Sequence, residues 1–140
     1  MTHDYSTISV QMDERGVVSL RLDRAEKKNA LSALMIEELT HFASNLPKRA
    51  RVVVLSGAGD VFCAGGDLGW MKAQIDADRA TRMHEARKLA MMLNALNELD
   101  APFIGRVHGG AFGGGIGMCC VCDYVIAEQG TKFGLTETRL

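Results

Sequence analysis

Two prolines, one tryptophan and no block of like charge set limits on what this 140-residue chain can be. With a formal net charge of −1 and both signs scattered, there is no basic patch or basic–aromatic run of the kind that binds nucleic acid. No apolar run is long enough to span a bilayer, and the opening MTHDYSTISVQMDERG holds no apolar h-region. A cytoplasmic location away from membranes is therefore expected. Cysteine is also sparse: of Cys63, Cys119, Cys120 and Cys122, three crowd one short apolar run, unlike the spread of a disulfide framework. Cys119 and Cys122 have C-x-x-C spacing, but there is no second such pair and no histidine nearby at ligand spacing. Core packing is expected of these thiols, and no metal site.

The elements that are present alternate between strand and helix. Ile8 to Asp13 and Val17 to Asp23 alternate apolar with polar, which predicts a β-hairpin with one wet face. A polar loop, DRAEKKNALS, then reaches Ser32 as an expected N-cap. Leu34, Met35, Leu39, Phe42, Ala43 and Leu46 recur at helical spacing behind it. Arg51 to Leu55 is a continuous β-branched run, expected to be a strand buried on both faces. A long helix is predicted from about Arg79 to Glu98, its buried stripe running through Met83, Ala86, Leu89, Ala90, Leu93 and Leu96. Beyond Ala101-Pro102 come a strand at Phe103 to Val107, a short buried helix at Ile116 to Cys122, a strand at Tyr124 to Ala127 and a further one near Thr131 to Phe133. The order gives an α/β class for one domain over residues 1–140, with no internal repeat or linker.

Glycine is abundant in two places, SGAGDVFCAGGDL and VHGGAFGGGIGMCCVCD. Each cluster follows an apolar strand, and the second runs straight into a helix. At such a point backbone N–H groups have no helical partner and can hold a carboxylate, a phosphate or a developing oxyanion. The spacing of Gly113, Gly114, Gly115 and Gly117 does not make G-x-G-x-x-G, and there is no G-x-x-x-x-G-K-[ST]. Two separate loops that each offer bare amide suit a two-donor oxyanion hole better than a phosphate cradle.

GDVFCAGGDLGWM followed by GGAFGGGIGMCCVCDYVIAEQGTKFGLTE resembles the enoyl-CoA hydratase/isomerase (crotonase) superfamily, over essentially the whole chain. The resemblance implies a crotonase-like fold of repeated ββα units, of which residues 1–140 would be the N-terminal portion, without the C-terminal helical part. It implies that the Gly66 and Gly114 amides bind a thioester oxygen. It further implies that Ala30, Ala64, Asp67 and Leu68, in KKNALS and CAGGDL, meet the coenzyme A of the substrate, with Lys27 and Lys28 near its phosphates. The family commonly forms trimers or pairs of trimers, so a full-length form is expected to do the same. No cofactor is implied beyond the coenzyme A of the acyl-CoA itself, and no metal.

Many hydratases of this family carry two carboxylates. One, ending F-G-x-x-E, is matched by Glu137 of Phe133-Gly-Leu-Thr-Glu137. The other would stand three residues after the oxyanion glycine, where this chain has Gly117. Small and apolar neighbours around Glu137 are expected to desolvate its carboxyl and raise its pKa, which suits acid–base work. A single carboxylate is typical of the family's 3,2-enoyl-CoA isomerases, but DLGWMK and FGLTETRL resemble hydratases of branched, carboxylated enoyl-CoAs, near methylglutaconyl-CoA hydratase of leucine breakdown. Hydration of a 2-enoyl-CoA is the favoured expectation. Isomerisation and an inactive CoA-thioester-binding fragment are the alternatives. His108, at a strand end, is expected to be structural.

Overall fold

In the computed structural model, which describes residues 3–139, the alternating N-terminal segment forms the expected hairpin. Strand β1 (Ile8–Met12) pairs antiparallel with β2 (Val17–Leu22). Asp13 closes the turn: its carboxylate accepts from the Arg15 and Val17 N–H groups, and Gly16 takes a left-handed φ of 83°. Val18, Leu20 and Leu22 are buried while Ser19 and Arg21 face water. From β2 onward the chain winds in repeated turns. Helix α1 (Ala33–Ser44) leads to β3 (Val52–Gly57), then α2 (Leu68–Asp76) and α3 (Arg79–Asn97). There follow β4 (Phe103–Val107), β5 (Gly110–Phe112), α4 (Gly114–Cys120), β6 (Tyr124–Ala127) and β7 (Lys132–Gly134).

Each turn adds one strand to a five-stranded sheet in the order β1-β2-β3-β4-β6, parallel from β2 onward. Each turn also sends a shorter extended segment to one end of the sheet. There β5 pairs parallel with β7, and single parallel bridges join Cys63 to Ala111 and Leu31 to Gly66. These short segments are the glycine loops. The spiral of ββα turns stacks them beside one another although they lie far apart in sequence.

Helix α1 starts where Ser32 caps it, the hydroxyl accepting from the Met35 N–H at 3.2 Å. Met35, Ile36, Leu39 and Phe42 face the sheet and are buried; burying side chains of this size contributes about 1.5–3 kcal/mol each. Leu34, expected on that face, is exposed, and Ile36 takes its place. Three further expectations need correction. Strand β3 buries only Val53 and Leu55; Val54 faces an open groove of about 970 Å³ shared with Arg21, Ile104 and Arg106, because among the described residues no helix covers that side of the sheet. In α3 the side turned inward is that of Leu89, Met92 and Leu96, packed towards α1, while Met83, Ala86 and Ala90 are exposed. Helix α4 ends at Cys120, whose side chain is exposed, so only Cys63 of the four cysteines is fully in the core. Among the described residues no helix is long and apolar enough to cross a membrane.

Candidate functional site

The first wall of the site is built by a loop that has to fold back on itself. After β2 a short 3₁₀ turn, Ala25–Lys27, leads to Lys28 and Asn29, both left-handed with φ of 52° and 54°. Asn29 is one of the residues that tolerates this conformation. It is wholly buried, and its amide is fully used: Oδ1 accepts from the Arg24 N–H at 2.8 Å, and Nδ2 donates to the Ala58 and Val61 carbonyls at 2.8 and 2.9 Å. A buried amide left unpaired would cost about 1–3 kcal/mol; here it locks the loop after β2 to the loop after β3. Lys28 O then accepts from Ala64 N, Leu31 N donates to Gly65 O, and Asp67 N donates to Leu31 O. In a parallel bridge of this kind, Gly66 turns its own N–H to the other side. That N–H has no backbone partner among the described residues.

Ala30, Ala64, Gly66, Asp67 and Leu68 thereby line one open cleft of about 670 Å³, together with Lys27, Lys28 and Arg24. Leu68 is largely exposed at its mouth. Asp67 has two partners: it caps α2 by accepting from the Trp70 N–H at 2.9 Å and pairs with Arg24 Nη2 at 3.2 Å. The cap bond and then the guanidinium hold its carboxyl below the ordinary value of 3.8, against the opposing effect of partial burial. A carboxyl depressed in the folded state stabilises above its unfolded pKa, and that stability is lost as pH falls through the folded value. Acid unfolding of the chain is therefore expected to lose a component below about pH 3.8 that the Asp67→Asn variant lacks; urea midpoints measured between pH 2 and 6, about the carboxylate range, would show the two curves converging in acid.

The second wall is the loop between β4 and α4. Phe62 N donates to His108 O, Cys63 N to Gly110 O, and Phe112 N to Cys63 O, which stitches this loop to the first. Two glycines make the approach possible. A Cβ on Gly65, whose φ is +99°, would stand 2.9 Å from the Phe112 carbonyl oxygen, and one on Gly115 would stand 2.6 Å from that of Cys63. Gly114 is the first residue of α4, and its N–H has no backbone partner among the described residues; the Gly113 carbonyl instead accepts from Ile116 and Gly117. His108 holds the Gly59 carbonyl through Nε2 at 2.6 Å, a contact within the scaffold.

The third component arrives from the end of the described chain. Ala111 pairs with Phe133 and Phe112 with Gly134, and the Gly113 N–H donates to the Gly134 carbonyl at 3.0 Å. This pairing brings the 3₁₀ turn Thr136–Arg139 over the glycine triplet. The Glu137 carboxylate lies against Gly113 so closely that a Cβ there would overlap Oε1 and stand 2.9 Å from Cδ. Glu137 is exposed, so the desolvation expected from its small and apolar neighbours is not supplied by the described residues. Those neighbours are themselves open to solvent, including Phe133 and Leu135.

Gly117 lies one turn into α4, where a Cβ would meet nothing nearer than Leu93 Cδ1 at 3.5 Å. The position has room for a side chain. Gly117→Ala is expected to stabilise the fold by about 0.5–1 kcal/mol, the ordinary helical preference for alanine, seen as a raised midpoint in chemical denaturation. Two of the buried or half-buried cysteines, Cys63 and Cys122, are poor nucleophiles. Burial pushes the Cys63 thiol up to about 11 and that of Cys122 up to about 12, and Cys122 Sγ donates to Met118 O at 3.3 Å. Three participants in the geometry were not singled out from the sequence: Arg24, Asn29 and Gly113. For Asn29 a local signal existed, a polar residue of αL tolerance inside a polar loop; for the other two a decisive partner is distant in sequence, Asp67 for Arg24 and Glu137 for Gly113.

Comparison with known proteins shows the family. The family model described as enoyl-CoA hydratase/isomerase matches residues 12–140. Mouse mitochondrial methylglutaconyl-CoA hydratase is 32% identical over 140 residues, covering 94% of this chain and 42% of that protein. Mouse mitochondrial Delta(3,5)-Delta(2,4)-dienoyl-CoA isomerase is 30% identical over 148 residues, covering 99% and 45%. The crystal structure of an enoyl-CoA hydratase from Mycobacterium smegmatis superposes with a TM-score of 0.90 at 33% identity, over 96% of this chain and 52% of that one. The chain thus spans about half the length of the curated relatives it matches.

Proposed function

The chain belongs to the enoyl-CoA hydratase/isomerase (crotonase) family, and from that premise we propose that it contributes the catalytic centre of a cytoplasmic enzyme that adds water to a 2-enoyl-CoA. The observation that carries this reading is the stacking of three loops: the Gly66 and Gly114 amides, without a backbone partner among the described residues, on adjoining segments, and the Glu137 carboxylate against Gly113, next in sequence to Gly114. The coenzyme A of the substrate lies in the cleft of Ala30, Ala64, Asp67 and Leu68, with Lys27 and Lys28 at its rim for the phosphates. The thioester oxygen accepts from the Gly66 and Gly114 N–H groups. Glu137 removes a proton from water as its oxygen bonds to the β-carbon. The C=C electron pair moves towards the thioester, and the resulting enolate oxygen is stabilised by the two amides. Donors of this kind contribute about 2.7–4 kcal/mol each. Glu137 then returns its proton to the α-carbon, and the carboxylate is regenerated. Neither a metal nor a redox cofactor takes part.

A branched, carboxylated acyl group such as 3-methylglutaconyl is the favoured substrate. The likeness to mouse methylglutaconyl-CoA hydratase supports it, as do the segments DLGWMK and FGLTETRL. The second reading is a double-bond isomerase, favoured by Gly117, which leaves Glu137 to carry every proton. Mixing the full chain with 3-methylglutaconyl-CoA and following the ultraviolet absorbance of the conjugated thioester separates the two. Loss of absorbance with formation of the 3-hydroxy product supports hydration. No loss with that substrate, and a gain of absorbance with a 3-enoyl-CoA, replaces hydration by isomerisation. Binding without turnover of either leaves a CoA-thioester-binding module.

A further inference from the structure

We infer that Arg24 is a positioning residue for the Gly66 amide, a role that rests on the reaction proposed above. Gly66 is tied to the rest of the molecule by a bridge one residue pair long, with Leu31. A ladder of several pairs holds its own register, whereas a single bridge relies on what flanks it. Here the flanking contacts converge on one side chain. Arg24 Nη1 donates to the Ala30 carbonyl at 2.7 Å, immediately before Leu31, and Nη2 donates to Asp67 Oδ2 at 3.2 Å, immediately after Gly66. The guanidinium therefore clips together the two segments that form the bridge. Both side chains of the ion pair are mostly covered, at 17% and 18% exposure.

The backbone of Arg24 is fixed as well. Its N–H donates to Asn29 Oδ1, and its carbonyl accepts from Lys27 and Asn29. A planar fork with separate donors suits two acceptors at once. An ammonium at the end of a flexible stem is a point charge without that geometry. Asp67 in turn caps α2, from which Met71 packs on Gly66: a Cβ on Gly66 would stand 3.0 Å from Met71 Sδ. Withdrawing the guanidinium removes one support on each side of the Gly66 peptide and leaves it to the Leu31 bridge and the Asp67 cap. The Gly114 amide, held through Cys63 and Gly134, keeps its place.

The test compares the full chain with Arg24→Met and Arg24→Lys. In ¹H–¹⁵N spectra the Gly66 amide resonance is expected to move and broaden in Arg24→Met while that of Gly114 stays, with Arg24→Lys intermediate. An unmoved Gly66 resonance in folded Arg24→Met overturns the inference. Where Arg24→Met fails to fold, Arg24→Lys, which keeps a charge but not the two-donor fork, gives the same reading: a moved Gly66 resonance supports the role and an unmoved one overturns it. In turnover, kcat is expected to fall roughly ten- to a hundred-fold, the scale of a charged hydrogen bond, with KM within a few-fold, because the donor acts on charge present in the transition state. A lowered melting temperature with unchanged kcat would make Arg24 merely structural. The amide readout needs no turnover, so an inactive parent chain whose Gly66 resonance still answers to Arg24 separates failure of the reaction from failure of this role.

Discussion

Glu137→Gln is expected to lower kcat by about 10²–10⁴-fold, the usual contribution of a positioned acid–base group, while binding of the CoA thioester stays within a few-fold. Glutamine keeps the shape of the side chain and its place against Gly113, so the loops have no reason to rearrange. What is lost is a group that can take a proton and give it back. The effect belongs at the upper end of the range if Glu137 carries both proton transfers, as proposed. The position at which the family resemblance led to the expectation of a second carboxylate is Gly117, which has no side chain at all. The two amides remain, so the variant should still bind and polarise the thioester, leaving a slow residual rate. The check is paired: turnover by loss of ultraviolet absorbance, and affinity by calorimetry with a saturated acyl-CoA. Near-normal turnover in the variant would remove Glu137 from the mechanism, whichever of hydration and isomerisation holds.

Local pattern was enough to read the hairpin, the Ser32 cap, the strand expected at Arg51–Leu55 and found at Val52–Gly57, and the strand at Phe103–Val107, because in each the signal lies within a few residues of its effect. Helix α2 was missed for the opposite reason. It buries no side chain, begins Leu68-Gly69, and is held by the Asp67 cap and a long 3.4 Å contact from the Trp70 indole to Glu85, none of which leaves an apolar stripe. Periodicity in α3 showed that a stripe exists, but not which flank would be covered. Packing against α1 selected Leu89, Met92 and Leu96 and left Met83 and Ala90 in solvent. The same limit applies to Val54, whose exposure depends on whether anything packs over that side of the sheet. At the site, residue types and the family resemblance named Gly66, Gly114 and Glu137, yet neither said how they meet. That depends on the Cys63–Ala111 bridge and the pairing of β5 with β7, contacts between residues more than twenty positions apart. Gly113 meets Glu137, and Arg24 meets Asp67, only through such contacts, and for that reason no local pattern marks them.

Gly113→Ala tests that arrangement from the backbone side, and its expected effect on turnover rivals that of Glu137→Gln. Gly113 has φ +52°, where an alanine is strained by about 1–3 kcal/mol. Its new methyl would fall where Glu137 Oε1 now lies. The carboxylate has open solvent to move into, so the chain stays folded, but the carboxylate leaves the neighbourhood of the Gly114 amide. A shift of about 1 Å in a reacting group can cost on the order of 10²-fold in rate, and the loss should appear in kcat with thioester binding largely kept. Gly115→Ala makes the contrast: there the methyl would stand 2.6 Å from the Cys63 carbonyl, which belongs to backbone and cannot swing aside, so stability falls by about 1–3 kcal/mol together with activity. The decisive comparison is the double variant. If Gly113→Ala acts by displacing Glu137, then adding Glu137→Gln should cost little more than the worse single change, since both remove the same group. Fully additive losses would mean that Gly113 serves the amide donors rather than the carboxylate, and the third loop would then have to be reassigned as scaffold.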